Sequence, residues 1–159
     1  MNIHQIGTVL ELADKYYAHI GDKFGSGKQY GCLAVRGPAT LRHPGMLVVP
    51  FGLIPGESGC YTYAPEKINR LAERPNHWSS FESRDPDNKR WGGAIRLPDA
   101  NESIGFLSWS SLPELVDEAF MLGIALKAKL MEFARAEFIA ARSTNTLFDP
   151  VLDFMQLNR

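Results

Sequence analysis

Apolar residues at Ile6, Val9, Leu10, Ala13, Tyr16, Tyr17 and Ile20 recur at steps of three and four, with Glu11, Asp14 and Lys15 on the opposite side. That spacing predicts an amphipathic helix beginning near Ile3. Asn2 with Gln5 three residues on is a capping pair suited to the free N–H groups of the first turn, and Gly21 is placed to end the helix. After the glycine-rich stretch Asp22 to Lys28, the period changes. Tyr30 to Arg36 and Met46 to Leu53 are short aliphatic runs bounded by Gly and Pro, which predicts two adjacent strands joined through Gly37-Pro38 and Arg42-His43-Pro44-Gly45. Pro50 has no N–H to give to a ladder, so the second of these strands should be an edge, bulged or short one.

Pro65 is placed to start a short helix over Glu66 to Arg74, with Ile68, Leu71 and Ala72 inward and charges around the rest. Residues Asn76 to Arg90 lose periodicity and predict a long loop with one short strand near Trp78 to Phe81. Trp91 to Leu97 and Ser103 to Ser110 then form a hairpin pattern around the polar spacer Pro98 to Glu102. In the second run Ile104, Phe106 and Ser108 alternate with Gly105, Leu107 and Trp109, so neither face is strongly polar; this strand should be central and covered on both sides. Ser111-Leu112-Pro113-Glu114 matches a capping box, and the helix it opens can run to about Arg142, roughly 30 residues and about 45 Å. One stripe of it holds Leu115, Ala119, Leu122, Leu126, Leu130 and Phe133, and a second holds Val116, Phe120, Ile124, Met131, Ala134, Phe138 and Ala141. Asp149-Pro150 can start a last short helix with Val151, Leu152, Phe154, Met155 and Leu157.

These elements predict an α+β fold in which an N-terminal helix and a long C-terminal helix pack on an antiparallel sheet. Residues 1–142 would be one domain and 143–159 a short helical tail. The run from Asn88 to Glu137 resembles the C-terminal half of a GAF domain, the correspondences being Ala94 to Leu97, Ser103 to Ser110 and Glu114 to Ala136. That resemblance implies a non-catalytic small-molecule sensor, homodimeric through its terminal helix, with a pocket between loop, helix and sheet. Tyr61, Tyr63, His77, Trp78 and Trp91 fall in the implied pocket region, offering stacking surface with hydrogen-bonding edges. Arg96, on a strand, could meet an anionic group. Binding would then order the loop Asn76 to Arg90. The ligand is an unknown small molecule.

Composition narrows the alternatives. With 159 residues, 45% of them hydrophobic, and a formal charge of −1, the chain has a real core and no overall field for nucleic acid. No run is apolar enough to span a bilayer, and the first ten residues lack a signal-peptide pattern, so a cytoplasmic protein is expected. His4, His19, His43 and His77 are scattered without metal-ligand spacing, and no pattern asks for a cofactor. Gly21 to Gln29 misses the P-loop pattern and Gly56 to Cys60 misses the nucleophile elbow. The basic residues Arg84, Lys89, Arg90 and Arg96 are offset by Glu82, Asp85 and Asp87, and the acidic pairs Asp85/Asp87 and Asp117/Glu118 read as solvated.

Two alternatives accompany the sensor reading. The segment ending in Gly59-Cys60 is similar to the glycine-rich approach to a cysteine in free methionine-(R)-sulfoxide reductases, which would make Cys60 a nucleophile or resolving thiol with Cys32 as partner. The other is a protein-interaction module with no small ligand.

Overall fold

The computed structural model describes residues 1–37, 45–98 and 105–157. It is an α+β protein in three layers. The first helix, α1 (Ile3–Phe24), opens with the expected capping box: the Asn2 side chain accepts from the Gln5 N–H at 2.9 Å, and Gln5 Oε1 accepts from the Asn2 N–H at 2.8 Å. Gly21 does not end the helix. It lies buried inside the last turn, and Gly25 forms the cap, its N–H donating to the Gly21 carbonyl.

Strands β1 (Gly31–Arg36), β2 (Met46–Phe51), β3 (Ala94–Leu97) and β4 (Gly105–Ser110) form one antiparallel sheet in the order β2-β1-β4-β3. As expected, β2 with its Pro50 is an edge strand and β4 is central, with every residue buried. The connections expected through Pro38 to Pro44 and through Asp99 to Glu102 lie outside the described residues.

Strand alternation divides the sheet into two unlike faces. Leu33, Val35, Ile95, Leu97, Leu107 and Trp109 join the larger core, with residues of α1 and of the C-terminal helices. Rings link these layers: Phe51 lies 5.5 Å from both Tyr17 and Trp109, and Phe120 meets Trp109 edge-on at 5.1 Å. The other face carries smaller residues, Cys32, Ala34 and Ala94 with Phe106, and packs on α2 (Cys60–Ala72). That helix begins five residues before Pro65. Pro65 therefore sits within α2, where its missing N–H leaves the Tyr61 carbonyl without the usual helical donor.

The long C-terminal helix is broken. α3 (Glu114–Lys127) and α4 (Phe133–Arg142) are separated by a turn in which Lys129 adopts φ +55°, while the N–H of Leu130 donates to the Ala125 carbonyl at 2.9 Å. This is the six-to-one closure of a Schellman motif, with Lys129 where glycine is usual. The chain can thus reverse, and α5 (Phe148–Phe154) packs back on α3. Gly123 makes that approach possible, since a Cβ there would lie 2.5 Å from Met155 Sδ. Every residue of α3 from Val116 to Ala125 is buried. The apolar surface beyond one sheet face is used within the chain. Phe148, Val151, Leu152 and Met155 belong to the same core, so α5, within the expected helical tail, is part of the domain's interior.

The capping box expected at Ser111 is also replaced. Pro113 holds the cap position without a side-chain bond, Ser111 Oγ accepts from the Trp109 indole N–H, and Glu114 Oε1 accepts from the Gly92 N–H. The Leu112 N–H is taken instead by Asp117 Oδ1 at 3.1 Å.

Candidate functional site

On α2 the residues Cys60, Ala64, Lys67, Ile68 and Leu71 share one buried face, so the helical period itself drives a lysine into the interior. Lys67 is 1% exposed. Its ammonium donates to Asp117 Oδ2 and to the Trp109 carbonyl, each at 2.8 Å. Asp117, on the first turns of α3, is equally buried. Burial pushes its carboxyl up to about 7, against the opposing pull of the Lys67 charge and the Leu112 N–H. Gly93, at φ +112°, lets the approach to β3 pass the pair, because a Cβ there would lie 2.5 Å from Asp117 Cβ and 3.0 Å from Lys67 Nζ.

The pair floors a cleft of about 430 Å³ between the start of α2, the end of β4 and the start of α3. Tyr63 and Trp91 contribute its aromatic walls, with Ser58, Ser110 and Ser111 as hydroxyls. Lys28 closes one side and donates to the Ser111 carbonyl at 3.0 Å. A buried charge pair in a cleft, with one carboxyl displaced from its ordinary range, is a recurrent feature of ligand-binding and catalytic sites.

The expected ligand residues are only partly brought together. Tyr63 and Trp91 meet in this cleft. Tyr61 is 54% exposed on the outer side of α2. Trp78 lies elsewhere, edge-on to Phe138 at 6.5 Å and beneath the Arg135 guanidinium at 4.4 Å. Arg96 and His77 do structural work: the buried Arg96 guanidinium donates to the carbonyls of Leu71, Arg74 and His77, closing the C-terminal end of α2, and lies over the Phe106 ring. Burial lowers the Arg96 pKa, with the Glu82 charge acting against it.

The loop from Asn76 to Arg90 is already held. Arg70 donates to the carbonyls of Ser80 and Ser83 at 2.8 and 2.9 Å and to that of Trp91, while pairing with Glu66. Within the loop, short 3-10 turns occupy Ser80–Ser83 and Pro86–Asn88, and the expected strand is reduced to a single bridge from Ser79 to Ile95. Glu82 caps the Trp78 and Ser79 N–H groups and pairs with Arg142; burial pushes its carboxyl up, but these partners outweigh it and hold the pKa below the ordinary value.

Asp117 and Glu118 overturn the solvated reading of that acidic pair. Glu118 is fully buried and accepts from the Ser79 and Ser143 hydroxyls and from Asn145 Nδ2, the last at 3.0 Å. Burial raises its pKa against those three donors. The sequence signal for the site was present in Lys67, a charge on the apolar face of its helix. Its partner, 50 positions away, had no comparable local mark.

Among the described residues, no group of three or more His, Cys, Asp and Glu is arranged to hold a metal ion, and no helix is long and apolar enough to cross a membrane. No protein-family model matches the chain, and neither the curated proteins nor the solved structures contain a match to it.

Proposed function

We propose that this chain is a non-catalytic small-molecule-binding domain, a GAF-like sensor in plan, which takes its ligand in the cleft over the Lys67–Asp117 pair. The observation that carries the proposal is the placement of Tyr63 and Trp91 around a cleft whose floor is a buried ion pair. Among the described residues neither ring is paired with another aromatic ring, which leaves both free to stack on a flat ligand. Lys67 uses two of its three N–H donors within the protein, and Lys28 adds a second cation at the rim. The ligand chemistry this favours is a small planar molecule with a carbonyl or acidic group. A site between loop, helix and sheet end is what the GAF resemblance implies, and a cytoplasmic setting belongs to the same proposal.

Homodimerisation through the C-terminal helices, which the GAF resemblance implies, belongs to the same proposal; α5 packs on α3, so α4, where Phe138 is 43% exposed, is the face proposed for it. The methionine-sulfoxide-reductase alternative is not adopted: neither cysteine lines the cleft, and at 0% and 1% exposure neither reaches a substrate as large as an amino acid.

Thermal-shift measurements with planar carboxylates and heteroaromatic metabolites test the proposal. A ligand at about 100 times its dissociation constant stabilises by about 2.7 kcal/mol, which for a chain of this size raises Tm by roughly 5–10 °C. Trp91→Ala and Tyr63→Ala should abolish that shift while Trp78→Ala leaves it in place. Stabilisation that survives both cleft substitutions, or none from any such compound, refutes the proposal.

A further inference from the structure

Outside the cleft the molecule holds a second chemically competent group. Cys32 projects from β1 on the small-residue face of the sheet, and Cys60 is the first residue of α2, which packs on that face. Their Sγ atoms lie 2.9 Å apart across a sequence separation of 28 residues. A disulfide needs about 2.05 Å, so bond formation takes about 0.9 Å of approach between groups already in register. The two side chains sit in one small apolar cluster with Ala34, Ala64 and Ile68, where no charged group separates them.

We propose that Cys32 and Cys60 form a reversible dithiol–disulfide site that responds to a small hydroperoxide. The two thiols are not equivalent. Cys32 lies inside a sheet strand, with β2 on one side and β4 on the other, and its backbone has no loop beside it to open. Cys60 lies at a loop-to-helix junction beside Ser58, whose hydroxyl is within 3.4 Å of its sulfur. Cys60 therefore reacts first. Its thiolate attacks one oxygen of the hydroperoxide, the O–O bond breaks, and the departing alkoxide or hydroxide takes up a proton as alcohol or water. The resulting sulfenic acid is attacked by the Cys32 sulfur; the S–O bond breaks, hydroxide leaves as water with the Cys32 proton, and the S–S bond forms. The two thiols lose two hydrogens and two electrons, and the peroxide gains them. An external dithiol reverses the step. With Cys60 only 1% exposed, the oxidant has to be small: hydrogen peroxide fits this requirement better than a bulky disulfide such as oxidised glutathione.

The product would tie α2 to the sheet, and it needs no ligand in the cleft, so its failure is independent of the proposed function. The test is intact-mass analysis of the folded, reduced chain after treatment with hydrogen peroxide, quenching with catalase, and denaturation in N-ethylmaleimide. The expected result is loss of both alkylation sites with a mass lower by two hydrogens, in a monomeric product restored by dithiothreitol. Cys32→Ala should instead stop at a Cys60 sulfenic acid trapped by dimedone, and Cys60→Ala should leave Cys32 fully alkylatable. The proposal is overturned if both thiols of the native chain remain alkylatable at a dose that already oxidises methionine. It is equally overturned if Cys60 goes on to sulfinic acid without joining Cys32, or if the bond forms only in urea.

Discussion

The Lys67–Asp117 pair provides the sharpest test of the site's energetics. At 2.8 Å and an effective dielectric constant of about 20, the gross attraction between the two charges is about 6 kcal/mol. Taking two ions to 1% exposure costs several kcal/mol each, so the pair nets close to zero against its fully hydrated parts. Breaking it is another matter. Asp117→Asn keeps the shape and an acceptor for the Leu112 N–H, but it turns its amide N–H groups onto the Lys67 ammonium, a donor against a donor that a protonated Asp117 does not present, and leaves that ammonium with only the Trp109 carbonyl. Lys67→Met leaves a buried carboxylate and removes the partner of that carbonyl. Each single change should therefore cost about 3–5 kcal/mol at pH 8, where Asp117 is ionised in the native protein. The double variant removes both charges, so it should be no less stable than either single one, with a coupling energy of about 3 kcal/mol or more. Urea unfolding followed by tryptophan fluorescence measures this: at a slope of about 2 kcal/mol per M, each single variant loses about 2 M in midpoint. Additivity of the two single losses to within about 0.5 kcal/mol would refute the reasoning, because it would mean the charges do not compensate each other.

Three further outcomes follow from the geometry. Because burial lifts Asp117 to about 7, the folded chain holds that proton more tightly than the unfolded one; stability should fall as pH rises from about 4 to 7, by up to roughly 4 kcal/mol, and Asp117→Asn should flatten that window in urea midpoints. Lys129→Gly should raise Tm by a few degrees, since glycine relieves the strain at φ +55°; through a continuous helix the same change would cost about 1 kcal/mol, so a fall in Tm would reject the break between α3 and α4. Arg96→Met should cost about 2 kcal/mol or more in thermal unfolding, by leaving the His77 carbonyl without its donor and the Leu71 and Arg74 carbonyls with only their backbone donors, and Arg96→Lys should restore little because one ammonium cannot span all three; a loss of under 1 kcal/mol for Arg96→Met would contradict its structural role.

Much of the architecture was legible along the chain. The three-and-four spacing of α1, its Asn2–Gln5 cap, the edge position of β2 from Pro50 and the two-sided burial of β4 are local consequences of periodicity and backbone chemistry. The misplacements arose where one residue's local preference lost to a distant partner. Ser111 and Glu114 read as a capping box, yet Trp109 and Gly92 claim their side chains. Lys129 carries no breaking signal, yet the helix ends before it, because reversal there lets α5 bury Phe148, Val151, Leu152 and Met155 against α3.

The same division holds for the site. Aromatic residues gathered between Tyr61 and Trp91 marked a region, but strand order and helix packing kept only Tyr63 and Trp91 in the cleft and sent Trp78 to α4 and Arg96 to the end of α2. The sequence by itself determined the α+β class, the sheet-forming runs and the faces that must be covered, because these follow from side-chain period and from where Gly and Pro permit turns. Tertiary structure alone decided the union of Lys67 with Asp117 and of Cys32 with Cys60. Such meetings depend on which helix crosses which strand and at what height, a relation between segments that no local pattern encodes.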